Sequence, residues 1–296
     1  MRQQEQTKEY FQSAAADWQS KSDNASGAYS VIEGRNRAVL DVIQRSAGAK
    51  AFLDVGCGTG QLVIEAARLG LQAEGNDFAD EMIAQCETNA RAAGVSTRFS
   101  GGSFFDLSLR DRTYDVISAQ GFIEYISTSQ TDEFFRRSYD LLRPGGSLVV
   151  GSRNRLFNCF SLNDFTRLEM ELGTLGVLLS EATALHSSPD TEAALLALRR
   201  FERVDPQPDR HPLKGIPVTT RYQFSPGDLA YRLRRCGLDP VALYPVHFHG
   251  LPTALVTERA TLHNDIARAV AGFGSRDCRL VPFSSSFVMQ AQKPPH

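Results

Sequence analysis

Three glycines at alternate positions, Gly56, Gly58 and Gly60, stand directly after a short apolar run that contains one acid, Asp54. Glycine leaves the backbone of a turn uncovered, so such a turn can present main-chain groups to a small ligand at the end of a strand. A second acid, Asp77, follows about 20 residues later, the spacing at which the second strand of a nucleotide-binding half delivers a carboxylate to ribose hydroxyls. The pattern therefore predicts a site for a nucleoside.

Asp77 has a second role open to it, because a carboxylate just before a helix can act as its N-cap. The helix predicted for residues 79–92 has another acid, Asp80, at its start. If Asp80 caps this helix, Asp77 is left for a ligand.

Apolar periodicity predicts the strands and helices that must position these residues. The strands predicted before residue 152 are 51–55, 71–77, 97–100, 114–120 and 147–151. Helical patterns lie between them, and residues 132–142 are predicted to be the helix before the fifth strand. Beyond residue 222, a helix at 225–235 and strands at 239–248 and 282–292 follow. Strands that alternate with helices indicate an α/β fold.

Three strings within this pattern are shared with one family. They are D-V-G-C-G-T-G at 54–60, G-N-D-F-A-D-E-M-I at 75–83 and L-L-R-P-G-G at 141–146. In them the chain resembles the class I S-adenosyl-L-methionine (SAM)-dependent methyltransferases, in particular small-molecule enzymes of the ubiquinone-biosynthesis type. The resemblance implies a Rossmann-like seven-stranded sheet, mostly parallel with an antiparallel last strand, helices on both faces and a helical lid insert.

The same reading divides the chain into four segments. Residues 1–48 are predicted to be N-terminal cap helices, and residues 49–152 the SAM-binding Rossmann-like core. Residues 153–222, which include a proline-rich stretch too long for a plain connection, are interpreted as an inserted lid that recognises the substrate. Residues 223–296 complete the core and carry an insert at 249–279.

The resemblance implies SAM as the cofactor and S-adenosyl-L-homocysteine (SAH) as the product. Ser103 stands where the family usually has the acid that binds the adenine amine, and Phe104 offers the ring an apolar wall. The candidate cofactor-binding residues are Tyr29, Arg35, Asp54, Gly56, Cys57, Gly58, Asp77, Phe78, Ser103, Phe104 and Gln120.

The acceptor side carries no motif, because SAM is already activated and a base is required only for a neutral hydroxyl or an acidic carbon. His247 and His249 near the end of the predicted sixth strand are the candidate catalytic bases, with a structural or solvent-exposed role as the alternative. Related ubiquinone-type enzymes often have E-x-x-E-H after the fourth strand, where this chain keeps only Glu124. One carboxylate does not make a metal site, so no metal is predicted.

Composition narrows the partners. A net charge of −2 and a pI near 6.3 give no electrostatic reason to expect nucleic acid or anionic membranes. The five cysteines contain no C-x-x-C pair, no apolar run is long enough to span a bilayer, and the first residues are polar. These features predict a cytoplasmic protein with a small-molecule partner. They leave the oligomeric state open, a homodimer included.

The leading hypothesis is therefore a SAM-dependent methyltransferase acting on a small molecule, most often at oxygen, with a phenol or quinol and a sugar hydroxyl as the two acceptor classes. The alternatives are a C- or N-methyltransferase of natural-product biosynthesis, another SAM- or nucleotide-binding Rossmann enzyme, and a non-catalytic module with the SAM fold. An NAD(P) oxidoreductase is disfavoured, because Gln61 stands where a dinucleotide turn has its third glycine.

Overall fold

The computed structural model describes residues 2–14, 18–20, 29–109, 112–213 and 216–295. Seven of the described strands form one sheet in the order β3-β2-β1-β4-β5-β7-β6. The strands are β1 (Ala51–Val55), β2 (Gln72–Asp77), β3 (Arg98–Gly101), β4 (Tyr114–Gln120), β5 (Leu142–Arg153), β6 (Asp239–Phe248) and β7 (Ser284–Gln292).

The first five strands are parallel to their neighbours, whereas β7 lies between β5 and β6 and is antiparallel to both. The order in which strands are added to the sheet reverses after β3: β2 and β3 lie on one side of β1, and β4 pairs with its other side. Ligands of open α/β sheets bind at such a switch point, beyond the carboxyl ends of the strands. The predicted seven-stranded, mostly parallel α/β sheet with an antiparallel last strand is confirmed.

Helices cover both faces of this sheet. In the described residues they are α1 (Arg2–Ser13), α2 (Val31–Arg45), α3 (Gln61–Arg68), α4 (Asp80–Ala93), α5 (Thr128–Leu141), α6 (Arg155–Ser161), α7 (Asp164–Glu171), α8 (Leu175–His186), α9 (Thr191–Leu198), α10 (Pro226–Arg235) and α11 (Ala260–Gly274).

Two apolar clusters hold the helices to the sheet, one on each face. Phe52 of β1 packs into the cluster under α2, α3 and α4, whereas its neighbour Leu53 packs into the cluster under α5 and α10. This follows from the period of two along a strand, which sends successive side chains to opposite faces. The lid helices α8 and α9 join the second cluster through Leu185 and Leu195, so part of the insert belongs to the core.

Two elements begin markedly earlier than the sequence predicts. Helix α5 begins at Thr128, four residues earlier than predicted, because Ser127 and Gln130 form a capping box at its start. Strand β5 begins at Leu142 and not at residue 147, so the R-P-G-G string lies within the strand bounds. In both cases pairing and capping extend an element past its apolar stretch.

Helices α6 and α7 of the lid are joined by a buried ion pair. Arg155 Nη2 lies 2.5 Å from Glu169 Oε2, and both side chains are 2% exposed. Asn158 Nδ2 donates to the other carboxylate oxygen of Glu169 at 2.8 Å. Buried charges need such complete partnering, so this network fixes the first two lid helices beside the end of β5.

Of the N-terminal segment predicted as cap helices, helices are observed at Arg2–Ser13 and Val31–Arg45, and residues 15–17 and 21–28 lie outside the described residues. Among the described helices, none has the length and apolar character needed to cross a bilayer.

Candidate active site

A cavity of about 480 Å³ opens at the carboxyl ends of β1, β2, β4 and β5. Its walls also include side chains from α1, α2, the lid and the end of β6. The volume lies within the range of small-molecule sites, which is roughly 300–1,000 Å³. Every candidate cofactor residue except Tyr29 lines it, and so do His247 and His249.

The glycine turn after β1 forms the floor of this cavity. Gly56 N and Cys57 N donate to Asn76 O at 2.8 and 3.0 Å, which fixes the turn against the end of β2. Gly58 has φ +55°, and a Cβ there would meet no atom within 4 Å, so the backbone is open to the cavity. A side chain at Gly58 would be strained and would occupy the ligand's space.

Asp77 holds the turn and also faces the cavity. Its Oδ2 accepts from Gly58 N and its Oδ1 from Ala79 N, both at 3.0 Å. The N-cap of α4 is Ala79, which lacks a capping side chain, and Asp80 lies in the first turn. The expectation that Asp80 would cap the helix is therefore wrong, and Asp77 accepts the main-chain hydrogen bond just before α4 instead. Each oxygen keeps a second lone pair, so binding of hydroxyls remains compatible with this role.

Of the two acids beside the glycine turn, Asp54 has the more strongly raised pKa. It lies at the end of β1 with 4% exposure, and its Oδ1 has no hydrogen-bond partner among the described residues. Burial raises the pKa of Asp54 to about 7, and the Asp77 carboxylate adds to the rise. Burial also raises the pKa of Asp77 to about 6. Two acids held this way favour a ligand that brings hydrogen-bond donors or positive charge.

These raised pKa values predict that Asp54 and Asp77 contribute less and less to the stability of the free protein as the pH rises from 6 to 8. The folded state then holds protons that the unfolded state has already released, so this part of the free energy of unfolding falls with pH. The pKa of about 7 at Asp54 corresponds to a fall of about 1 kcal/mol over this window. Asp54→Asn is expected to remove that part of the fall, as measured by urea unfolding at pH 6, 7 and 8.

Buried histidines act in the opposite direction up to about pH 7.5, because histidines of an unfolded chain are still partly protonated there. Their contribution is the same in the wild type and in Asp54→Asn, so the difference between the two pH slopes reports Asp54 alone. The control is Asp41→Asn, which changes a carboxylate of α2 outside the cavity. Equal pH slopes in the wild type and Asp54→Asn would contradict the prediction.

The loop after β3 supplies the next wall. Asn76 Nδ2 donates to Ser100 O and Gly102 O at 2.9 and 3.0 Å and so fixes the loop. Ser103 Oγ accepts from Phe105 N at 3.3 Å, which is a local turn contact. Phe104 is 2% exposed and packs edge-on against Phe134 with ring centroids 5.4 Å apart. Phe104 is thus a core residue that also lines the cavity.

Arg35 of α2 crosses the ends of β4 and β5. Its Nε donates to Ser286 Oγ at 2.9 Å, and its Nη2 to Glu124 Oε1 at 2.6 Å. A Cβ at Gly121 would lie 2.5 Å from Arg35 Nη1, and a Cβ at Gly151 would clash with the side chain of Gln120. The two glycines are therefore required for Arg35 and Gln120 to lie where they do. Sequence reasoning missed the role of Gly151, which no local motif signals.

Glu124 is a junction for two guanidinium groups. Besides the pair with Arg35, its Oε2 lies 3.3 Å from Arg153 Nε, and its Oε1 accepts from Arg153 N at 2.9 Å. The side chain of Glu124 is 3% exposed. Within the described ranges, no group of three His, Cys, Asp or Glu side chains is arranged to hold a metal ion. The absence of a metal stays a prediction.

His247 and His249 lie at the end of β6 with different partners. His247 has φ +62°, stacks on Tyr29 with centroids 5.5 Å apart, and places Nδ1 2.6 Å from Ser285 Oγ. His249 contacts Phe157, and its buried Nδ1 has no partner among the described residues. Burial lowers the pKa of His247 to about 3 and of His249 to about 4, so both rings are neutral at pH 7.

Two further aromatic groups pack against these histidines, one of them the candidate cofactor residue Tyr29. The other is His263 of α11, which the sequence analysis did not single out and whose ring centroid lies 5.3 Å from that of His249. Tyr29 lies behind His247 outside the cavity lining, and its main-chain N donates to Asn264 Oδ1 at 3.2 Å.

An aromatic cluster closes the cavity on the side of α1. Phe11 lies edge-on to Tyr125 and to Phe78, with centroid separations of 5.3 and 6.2 Å. Trp18 lies 5.6 Å from Phe11 and also lines the cavity. Phe78, a candidate cofactor residue, thus lies beneath an N-terminal helix, as expected for a cap.

Comparison with known proteins finds that this chain is similar to methyltransferases. Residues 52–146 match the family model described as a methyltransferase domain. The chain is 27% identical over 162 residues to a ubiquinone biosynthesis O-methyltransferase of Azorhizobium caulinodans, covering 51% of this chain and 63% of that protein. It is 32% identical over 111 residues to the enzyme of the same name from Nitrobacter winogradskyi, covering 38% and 41% of the two chains.

The match thus spans about half the length of these curated relatives. Among solved structures, the magnesium protoporphyrin IX methyltransferase of Synechocystis PCC 6803 with bound SAH has a TM-score of 0.56 at 13% identity, covering 97% of this chain and 98% of that one. A SAM-dependent methyltransferase of Clostridium acetobutylicum has a TM-score of 0.55 at 12% identity, covering 94% and 97%. The Rossmann-like methyltransferase fold and the resemblance inferred from the motifs are confirmed.

Proposed function

We propose that this chain is a SAM-dependent methyltransferase that methylates a small molecule at oxygen. The observation that carries the proposal is the pair of buried acids, Asp54 and Asp77, at the rim of an open glycine turn. The unpartnered oxygen of Asp54 fits the positively charged amino group of SAM, and Asp77 fits its ribose hydroxyls. Gly58 leaves room for the ligand where a Cβ would project.

The other candidate residues fit the remaining parts of SAM. Phe104 and Ser103 would border the adenine, and Arg35 provides a guanidinium for the carboxylate, near Gln120 at the end of β4. SAM supplies a methyl group already activated on a sulfonium. The protein therefore mainly has to align the acceptor with the methyl group and exclude water, and the aromatic cluster over α1 suits the second task.

The acceptor half of the cavity is formed by the lid and the end of β6. Phe157 and Phe165 give it apolar walls, while Asn158 and Gln223, joined by a 2.6 Å hydrogen bond, give it a polar one. The relatives are named O-methyltransferases, which supports a hydroxyl as the acceptor. A phenol or quinol is the first candidate, and a sugar hydroxyl and a carbon or nitrogen acceptor are tested beside it.

The deciding experiment has two steps. Calorimetric titration with SAH and NADH tests the cofactor, and we expect binding of SAH alone. Transfer of a labelled methyl group from SAM is then measured with catechols, hydroquinones, monosaccharides and amines. Transfer to a hydroxyl supports the proposal, whereas binding of NADH without SAH, or SAH binding without any transfer, contradicts it. Cytoplasmic location and a homodimer stay predictions from the sequence.

His249 is expected to act as the general base for a hydroxyl acceptor. It is neutral at pH 7 and lines the cavity beside Phe157, whereas His247 Nδ1 already contacts Ser285. A positioned base contributes roughly 100- to 10,000-fold. His249→Ala is therefore expected to lower kcat at least about 100-fold, and His247→Ala to lower it less.

Two quantities are measured, kcat at saturating SAM and the affinity for SAH. The affinity for SAH should be unchanged in His249→Ala. Because the pKa of His249 is about 4, kcat of the wild type is expected to be level above pH 6. The control is His186→Ala, since His186 lies at the end of α8 outside the cavity. Unchanged rates in both variants would remove the pair from the mechanism.

A further inference from the structure

The acceptor half of the cavity holds more positive than negative charge. Arg35 and Arg153 both line it and share one carboxylate, Glu124. A third guanidinium, Arg221, is 2% exposed and hydrogen bonded to Tyr125, whose ring lines the same wall. The charges that act on the Tyr125 hydroxyl are Glu124 on one side and Arg153 and Arg221 on the other. One carboxylate therefore faces three guanidinium groups.

Of the three guanidinium groups, that of Arg153 has hydrogen-bond donors left for a ligand. Its Nε lies against Glu124 Oε2, but within the described residues neither of its Nη groups donates a hydrogen bond. The side chain is 33% exposed, and Arg153 lines the cavity. The main chain of Arg153 is fixed, since Arg153 N donates to Glu124 and Arg153 O accepts from Phe224 N at 3.3 Å. A guanidinium group on a fixed main chain, whose two Nη groups donate to none of the described residues, is suited to bind an oxyanion through two parallel hydrogen bonds.

The cofactor does not use up this excess. Glu124 balances one of the three guanidinium charges and the single carboxylate of SAM can balance a second, so one positive charge remains. The SAM carboxylate can pair with Arg35 or with Arg153. Arg35 is the better fit, because its side chain lies over Gly121 at the end of β4 and is fixed by Ser286 as well as Glu124. The neighbouring His247 and His249 are neutral and neither add to nor cancel the charge.

The walls around Arg153 define the rest of the acceptor. Phe157 and Phe165 are apolar, and Asn158 and Gln223 are polar but uncharged. Phe157 lies beside His249, with ring centroids 4.5 Å apart, so an apolar ring next to it would also be next to the proposed base. The site thus joins an apolar slot to one cationic end.

We propose that the methyl acceptor carries an oxyanion, a carboxylate or a phosphate, that binds the Nη groups of Arg153. The inference rests on the proposed methyltransferase function and names the acceptor class of that site. Arg153 then has two roles, since it neutralises the acceptor's charge and sets which hydroxyl lies beside the base. Electrostatic complementarity of this kind gives specificity above all.

The test uses small probes on protein saturated with SAH. Benzoate, phenyl phosphate and uncharged benzyl alcohol are titrated by ligand-detected NMR against the wild type, Arg153→Gln and Arg153→Lys. One of the anions is expected to bind the wild type about 10- to 100-fold more tightly than benzyl alcohol, and which one distinguishes carboxylate from phosphate. Arg153→Gln is expected to remove the preference. Arg153→Lys, which keeps the charge without the fork, should retain part of it.

The matched control is Arg37→Gln on the exposed face of α2, where Arg37 pairs with Glu33 one turn away. It should leave the anion preference unchanged. Equal binding of charged and uncharged probes by the wild type would overturn the proposal, and so would a preference that survives in Arg153→Gln. If Arg153→Gln weakens SAH binding more than about 10-fold, Arg153 serves the cofactor and the acceptor assignment is wrong.

SAH binding by the wild type is measured before any probe is added, so the two proposals fail separately. Loss at that step contradicts the methyltransferase proposal. Normal SAH binding with indifferent probes contradicts the oxyanion proposal alone.

Discussion

Asp77→Ala is expected to lower the affinity for SAH at least about 100-fold, because the variant loses two kinds of interaction at once. The first is the proposed contact with the ribose hydroxyls. The second is the pair of 3.0 Å hydrogen bonds by which Asp77 holds Gly58 N and Ala79 N. Without them the glycine turn loses its connection to the start of α4, and the floor of the cavity is no longer pre-organised.

The experiment is calorimetric titration of SAH at pH 8, where Asp77 is ionised. Asp77→Asn separates the two roles, because an amide oxygen can still accept one main-chain hydrogen bond but brings no charge. The matched control is Asp80→Ala, an exposed carboxylate three residues away in the first turn of α4. If Asp77→Ala binds SAH as tightly as the wild type, the cofactor assignment is wrong.

Glu124→Ala is expected to lower kcat/KM about 100-fold and the free energy of unfolding by about 3 kcal/mol. Removal of the carboxylate leaves Arg35 and Arg153 as neighbouring positive charges without their shared partner. Arg35 is 11% exposed, so most of its lost pairing cannot be replaced by water. Both guanidinium groups are then free to leave the positions in which they face cofactor and acceptor.

Glu124→Gln tests charge apart from shape, since glutamine fills the same space and still accepts hydrogen bonds. We expect it to fold better than Glu124→Ala but to recover little activity. Glu33→Gln is the matched control, because it removes an exposed carboxylate that forms an ion pair with Arg37 on α2. Urea unfolding and steady-state kinetics give the two readouts. A Glu124→Ala enzyme with wild-type kcat/KM would show that the junction is structural only.

The donor half of the site could be predicted from the sequence because its parts are local. Asp54, the glycine turn and α3 follow one another directly, and Asp77 comes at the end of the next strand. In a parallel sheet the carboxyl ends of adjacent strands meet at one edge, so spacing along the chain becomes proximity in space. For the same reason the sequence assigns Gly58 and Asp77 to one cofactor site.

The acceptor half could not be predicted, because its contacts join distant parts of the chain. Arg35 meets Glu124 across 89 positions and Ser286 across 251. Asn154, which begins the lid, is fixed by Val281 O and Ser284 O more than 120 positions away. The hydrophobic periodicity of a sequence does not indicate contacts between residues so far apart along the chain. The residues concerned have ordinary polar types whose partners become evident only when the sheet is assembled.

The position of β7 in the sheet also bears on how the protein is made. β5 and β6 lie on either side of β7 and pair with it, not with each other. A nascent chain that has emerged as far as residue 248 therefore carries β5 with one unpaired edge and β6 without any strand partner, while the segment from β1 to β5 is already complete. Such edges invite pairing with other chains. Synthesis of residues 284–292 closes the sheet, so this interval is the period in which the growing polypeptide most needs chaperone protection.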